Sequence, residues 1–300
     1  LLDSDGNGQA DSKRVIADDL TYSTGVSIFG GDLYFSEISK IWKIQDIENW
    51  LQKNSSGFPE KILVTQDLPE DKWHGWKWLQ HNAEGDIYTN VGAPCNVCIS
   101  ENPQYASIIR LSDDNWEYVA RGVRNSVGFD FHPETNKLYF GDNGRDWLGD
   151  NSPACELNRV DEDGLFYGFP YQHALNVKDP EYGDLESGYD YVDPILELGA
   201  HVAPTGLAFY DGEMFPKKYK NNIFITLHGS WNRSKKVGYK VIRVVLDSEG
   251  DVVDTKDFIS GWLDEGTVLG RPAAPLIISD GSLLISDDKA NVIYRITYKQ

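Results

Sequence analysis

The stretch RGVRNSVGFDFHPETNKLYFGDNGRDWLGDNSPACELNRVDEDGLFYG, from Arg121 to Gly168, decides how the rest of the chain is read. It predicts a short alternating strand, Val127 to Phe131, then a turn around Pro133 to Asn136. A second strand, Leu138 to Phe140, runs directly into the glycine-bearing loop GDNGRDWLGDN. That loop offers Asp142, Asn143, Asp146 and Asp150, and the pair Arg124 and Asn125 stands just before the first strand. Acids, amides and a cation in this mixture suit a place that holds a metal and an anionic ligand together.

The strand-turn-strand unit recurs along the chain. Copies are read at Gly25 to Glu37, Trp76 to Gly92, Val127 to Asp142, Thr205 to His228 (with an insertion) and Pro272 to Asp288. Aligning Leu33, Ile87, Leu138, Ile223 and Leu283 gives steps of 54, 51, 85 and 60 residues. A self-similar β unit with a period near this length predicts an all-β propeller. Helical periodicity is scarce, and only the stretch from Asp46 to Lys53 is expected to form a turn or two. A propeller must close its ring, because open edges invite pairing with other chains. The five copies imply either five blades or six with the first incomplete.

The totals restrict the function. The 300 residues carry 28 basic and 47 acidic side chains, a formal net charge of -19, with a pI of 4.6. Such a field repels nucleic-acid phosphate and anionic membrane surfaces, so neither is expected as a partner. Apolar runs are strand-length, so no membrane insertion is expected. The chain does not begin with Met and is read as processed or truncated. Cys95 and Cys98 form a C-x-x-C in a loop without helical pattern or a second ligand pair. A local disulfide in an oxidising compartment is expected there, with Cys155 left over. At the start, Asp3, Asp5, Asn7 and Asp11 match the first positions of a calcium loop, but Arg14 replaces its closing acid. A polar β-turn is the alternative.

Six segments together resemble the soluble glucose/sorbosone dehydrogenase family, and within it the L-sorbosone dehydrogenase-like branch. They are GAPCNVC (Gly92 to Cys98), GVRNSVGFDFHPET (Gly122 to Thr135), GDNGRDWLGD (Gly141 to Asp150), ELNR (Glu156 to Arg159), HGSWNRS (His228 to Ser234) and ISDDKANVIYRITY (Ile285 to Tyr298). The resemblance implies a single propeller domain over 1–300, with six blades of four antiparallel strands. The first blade would be incomplete, because members carry an N-terminal segment that this chain lacks. It implies oxidation of an aldose or sugar aldehyde with pyrroloquinoline quinone (PQQ) and Ca2+, and an external electron acceptor. It also implies a periplasmic or extracellular setting.

The resemblance assigns residues as well. His74 matches the base that takes a proton from the sugar, a task suited to an imidazole; a structural histidine packed by tryptophans is the alternative. Arg124, Asn125 and Arg271 match groups beside the quinone, whose three carboxylates call for permanently charged, forked donors. His228, Trp231, Asn232 and Arg233 are candidate pocket residues, and His201 is a further one. Asp142, Gly144, Arg145 and Asp146 are the expected calcium position, with capping of a strand end as the alternative. Val127 stands where many relatives have glutamine, and Ala273 where the glucose enzymes have a second arginine. A calcium-dependent lactonase-like hydrolase and a non-enzymatic carbohydrate- or protein-binding propeller are the competing functions.

Overall fold

The computed structural model describes residues 1–53, 57–112 and 115–299. Every strand pair that the repeat predicts is present. Blade I contains Val26–Phe29, Asp32–Ser36, Ile41–Ile44 and Ile62–Thr65. Blade II contains Leu79–His81, Ile87–Val91, Ser107–Ser112 and Asn115–Arg121, with Leu165–Phe166 added in parallel at its outer edge. Blade III contains Phe129–Phe131, Leu138–Asp142, Ala154–Arg159 and Leu196–Ala200. Blade IV contains Pro204–Phe209, Ile223–Leu227, Lys240–Leu246 and Val252–Ile259, and blade V contains Pro272–Ile277, Leu283–Asp287 and Val292–Ile296. A short α-helix, Ile47–Gln52, follows the third strand of blade I, where the sequence predicts it.

Turn chemistry explains the hairpins. In blade I, Phe29 pairs with Asp32 across Gly30 and Gly31, whose φ values are 59° and 88°. Two consecutive left-handed residues make the tight turn that matches strand twist, and glycine adopts it without a Cβ clash. In blade III, the ring Nδ1 of His132 accepts the backbone N–H groups of Glu134 (3.2 Å) and Thr135 (3.3 Å). That histidine is therefore part of a turn.

The innermost strands are tied blade to blade by side chains. Ser27 bonds His81 at 2.6 Å, and the Trp78 indole donates to the Phe129 carbonyl at 2.9 Å. One carboxylate, Asp130, accepts from the Gln80 amide (2.9 Å) and the Phe209 N–H (2.8 Å), joining blades II, III and IV. Thr205 donates to the Ala273 carbonyl between blades IV and V. The backbones come so close that a Cβ on Gly206 would lie 2.5 Å from Pro275 Cδ. Apolar clusters fill the seams between blades; one packs Tyr139, Leu207, Ile223 and Ile242 together.

The ring differs from the expected one. Among the described residues there are five blades, where six were expected. Blade I, expected to be incomplete, has four strands, and the three-stranded blade is the last. The reason lies in residues 1–25, which lack strand alternation. They form a polar loop closed by the bridge Leu2 to Ser12, followed by a strap. Ile16, Ala17 and Leu20 of the strap pack on Leu33, Phe35, Ile44 and Ile47 of blade I. The loop reaches blade V, where Asp3 lies 3.7 Å from Arg295. Among the described residues no helix is long and apolar enough to cross a membrane.

Candidate functional site

In an antiparallel hairpin the start of the first strand adjoins the end of the second. Segments leading into each innermost strand and leaving each second strand therefore meet at one mouth of the propeller. His74, Arg124, His201 and Arg271 lie on the leading segments, and Asn143 to Asn151 and His228 to Ser234 on the others. The structure thus brings most of the sequence-predicted site residues to one end.

Arg124 is the centre of that end. It is buried, and its side chain makes five hydrogen bonds. Nε donates to the Asn96 carbonyl (2.8 Å), and Nη1 to the carbonyls of Asn143 and Gly144 (both 3.1 Å). Nη2 donates to Asn96 Oδ1 (2.8 Å) and Asp146 Oδ2 (3.2 Å). A guanidinium has five N–H groups. All are taken, so none is left for a ligand carboxylate, and Arg124 ties two loops together. Its neighbour Asn125 differs: Oδ1 is buried and has no hydrogen-bond partner.

The acidic loop is equally committed. Asp142 is buried and accepts the backbone N–H groups of Arg124 (2.8 Å) and Asn125 (2.7 Å). Asp146 Oδ1 accepts from the Asn232 amide. The Arg145 side chain turns away to Asp179, which His173 Nε2 also meets at 2.9 Å. Next to Asp142 in the sheet register is Glu156, whose carboxylate accepts from Ala174 N (2.6 Å) and the Asn158 amide (3.0 Å). Burial pushes Asp142 up to about 6 and Glu156 up to about 8, the Asp142 charge further opposing ionisation of Glu156.

His74 has a defined tautomer. Its Nδ1 lies 2.8 Å from the Ala93 carbonyl, an acceptor only, so Nδ1 carries the proton and Nε2 keeps its lone pair. Desolvation, and secondarily the Arg124 charge, lowers its pKa to about 3, which keeps the ring neutral. The backbone is left-handed there (φ 51°), and Gly92 packs so closely that a Cβ would stand 2.6 Å from His74 Cβ. Three residues on, Lys77 is 4% exposed, and its ammonium donates to the Gly75 carbonyl at 2.9 Å. Burial lowers its pKa to about 8.

On the far blades, His228 Nε2 meets both oxygens of Asp288 (3.0 and 3.1 Å), and burial lowers its pKa despite that carboxylate. Arg271 donates through Nη2 to the Gly229 carbonyl at 2.8 Å, and its Nε is buried without a partner. Arg233 donates to Asn151 (2.8 Å), and its Nε and the Asn232 Oδ1 are likewise unpartnered. Neither Arg233 nor Arg271 pairs with a carboxylate among the described residues. Trp231 is exposed and touches Trp147. His201 donates or accepts at Nε2 to the Gly149 carbonyl, 2.7 Å away; a carbonyl can only accept, so it donates.

Two groups lie elsewhere. Ligand oxygens of Asp3, Asp5 and Asp11 fall within 4.8 Å of one another on the exposed N-terminal loop. Asp3 there accepts the N–H groups of Asn7 and Gly8, and Asp11 accepts from Ser4. A cavity of about 590 Å³ is lined by innermost-strand residues of all five blades, among them Ile28, Gln80, Phe131, Phe209 and Ile277. Its carboxylates are Asp130 and Asp211, and no histidine or arginine lines it, so it lacks the base and cations that the mouth assembles.

Sequence reasoning missed Asn96, Glu156, Lys77, Asp179 and Trp147. Only Asn96 carried a visible signal, as the residue clamped inside the C-x-x-C. That pair is disulfide-bonded as expected, with its Cα atoms 6.1 Å apart, and Cys155 is free and buried.

The sequence model of the TrAA12-like family matches residues 109–262, just over half of the chain. The chain belongs to the TrAA12-like family. An uncharacterized protein of Borreliella burgdorferi is 37% identical over 295 residues, covering 95% of this chain and 78% of that protein. Among solved structures, the holo form of the pyranose dehydrogenase PQQ domain from Coprinopsis cinerea has a TM-score of 0.78 at 18% identity, covering 98% of this chain and 86% of that one. The calcium structure of a Trichoderma reesei protein of the carbohydrate-active enzyme family AA12 gives 0.78 at 18% identity, covering 98% and 85%. At such identities the two structures establish a shared fold. In this TrAA12-like chain the matched segment contains the Arg124 hub, the acidic loop and His228 to Ser234, whereas His74 and Arg271 lie outside it.

Proposed function

We propose that the chain is a sugar oxidoreductase that holds PQQ at the mouth of the propeller and oxidises an aldose or a sugar aldehyde such as sorbosone. The observation that carries this reading is His74: a neutral imidazole with its tautomer fixed by Ala93 and its Nε2 lone pair free. The likeness to the Coprinopsis pyranose dehydrogenase PQQ domain supports the cofactor and the substrate class, and that to the Trichoderma carbohydrate-active enzyme supports a carbohydrate substrate.

The residues at the mouth fit a flat, oxygen-rich polyanion. The Nε–H groups of Arg233 and Arg271 are buried donors that lack partners, and such groups are costly unless a ligand or water meets them. Arg271 and Arg233 would supply countercharge to carboxylates, while Arg124 holds the loops. Bound there, the quinone would accept hydride from the sugar carbon. His74 Nε2 would take the proton of the hydroxyl on that carbon, the anomeric hydroxyl of an aldose or a hydroxyl of the hydrated aldehyde, while Nδ1–H stays on the Ala93 carbonyl. An anion beside the ring would raise the His74 pKa from its low value toward neutrality, making it a stronger base.

The expected calcium position fits less well. Asp142 is occupied by two backbone N–H groups, Asp146 by Arg124 and Asn232, and the Gly144 carbonyl by Arg124. As arranged, these groups make a cage for a guanidinium and not for Ca2+. The disulfide supports a setting outside the reducing cytoplasm, periplasmic or extracellular.

Calorimetric titration with PQQ tests the reading. Binding is expected, weakened at least about tenfold by Arg271→Ala, as the loss of one charged hydrogen-bonding group implies. His74→Ala should keep that binding and lose roughly 10²- to 10⁴-fold in dye-linked sugar oxidation, the usual worth of a general base. A folded protein that takes up no PQQ would sink the proposal and leave a binding or hydrolytic propeller.

A further inference from the structure

The chain has nine tryptophans, and their burial divides them sharply. Trp42, Trp50, Trp78, Trp116 and Trp262 are buried or half-buried in or against the blades. Trp73 (54% exposed), Trp76 (51%), Trp147 (67%) and Trp231 (65%) are not. All four exposed indoles are on mouth segments. Trp73 and Trp76 flank His74, Trp147 follows Asp146, and Trp231 precedes Asn232. Single exposed apolar residues need no explanation, but concentration of the largest ones around one opening does.

Trp147 and Trp231 form a built pair. Their rings meet edge to face at 5.3 Å and 88° although they belong to loops of different blades. Three cross-ties hold the two loops together. The Asn232 amide donates to Asp146, Arg233 donates to Asn151 at 2.8 Å, and the Ser234 N–H donates to Asp150 at 3.0 Å. Trp147 is also held at φ 72°, a left-handed conformation that a bulky residue rarely adopts. That conformation and the cross-ties keep two indole surfaces in water, where they gain nothing from the fold itself.

We infer that Trp147 and Trp231 form a stacking subsite for an additional sugar ring, so that the substrate is the end of an oligosaccharide. A pyranose has an apolar C–H face and a polar rim. A fixed indole matches the face, and the amides and acids beside the pair match the rim. The direction of the inference rests on the proposed sugar oxidation, which places the reacting ring deeper in the mouth. The subsite itself stands on the tryptophans.

The test is tryptophan fluorescence titration of quinone-free protein with cellohexaose, maltohexaose and xylohexaose, each against its monosaccharide. Wild type, Trp147→Ala and Trp231→Ala are compared, and PQQ affinity is measured on the same proteins by calorimetry. One hexasaccharide should bind at least tenfold more tightly than its monosaccharide, and each substitution should remove that advantage while leaving PQQ affinity within twofold. The inference is overturned if no hexasaccharide outbinds its monosaccharide, or if the advantage survives both substitutions. Loss of PQQ affinity in Trp231→Ala would overturn it as well, by assigning the indole to the cofactor. A protein that binds hexasaccharide through these tryptophans but takes no quinone retains the subsite and defeats the oxidoreductase reading instead.

Discussion

A carboxylic acid can sit inside a protein if it keeps its proton, and Glu156 is placed to do so. It is 7% exposed, beside Asp142, which is 5% exposed. Burial raises both pKa values, and the Asp142 charge adds to the shift of Glu156, to about 8 against an ordinary 4.5. The folded state therefore binds a proton that the unfolded state has released. The stability from this group is complete below about 4.5 and is lost as pH rises through about 8. Asn158 Oδ1, buried and unpartnered with the amide oriented as it is, can accept from protonated Glu156 once the amide is flipped. Glu156→Gln offers a similar donor without titrating. Urea unfolding from pH 5 to 8.5 should show wild type losing on the order of 3 kcal/mol that Glu156→Gln does not lose. Parallel curves would refute the protonated pair. At this scale the sequence was legible by residue type alone. Arg124 and Asp142 stood out as site residues, but their partners are backbone carbonyls, backbone N–H groups and Asn96, all brought near by folding. Nothing in residue type shows whether a guanidinium is already fully bonded.

Hairpins were readable because their cause is local. Gly30-Gly31 between alternating strands dictates its turn wherever it occurs, and the buried positions Leu33, Ile87, Leu138, Ile223 and Leu283 repeat with the blades. The loop between Cys95 and Cys98 shows the other case, a local feature with a distant effect. Between the cysteines, Asn96 accepts Arg124 through its carbonyl and through Oδ1, accepts Asp146 N at 2.8 Å, and donates to the Asp146 carbonyl at 3.2 Å. The disulfide closes so small a ring that chain entropy gives it only about 2 kcal/mol. Its larger effect should be to hold Asn96 in place. A Cys95→Ser, Cys98→Ser variant is expected to lose at most that much in global stability while PQQ affinity falls several-fold. Equal affinity in the variant and the parent would show that Asn96 needs no clamp.

Closure of the ring belongs to the whole molecule, and this was the least legible feature. The recurring unit predicted blades, and the resemblance predicted six. Residues 1–25 instead lie against blade I and reach blade V without adding a sheet. The strap is anchored by ordinary means. Leu20 and Ile16 pack on Phe35 and Leu33, Glu37 accepts the Thr21 N–H at 2.7 Å, and Arg14 lies over the Trp50 ring at 3.8 Å. If the strap stabilises the ring, an acid on its inner face should cost far more than one on its outer face. Leu20 is half-buried, whereas Val15 is 59% exposed. Leu20→Asp loses apolar burial and places a charge against blade I, a cost of roughly 2–4 kcal/mol. Val15→Asp should stay within about 0.5 kcal/mol of the parent, as exposed substitutions do. Both add the same charge to a chain already at -19, so the general repulsion cancels in the comparison and the difference in urea midpoint reports burial. Equal midpoints would mean that the strap rests on blade I without supporting it, and that blades I to V hold together through their inner strands alone.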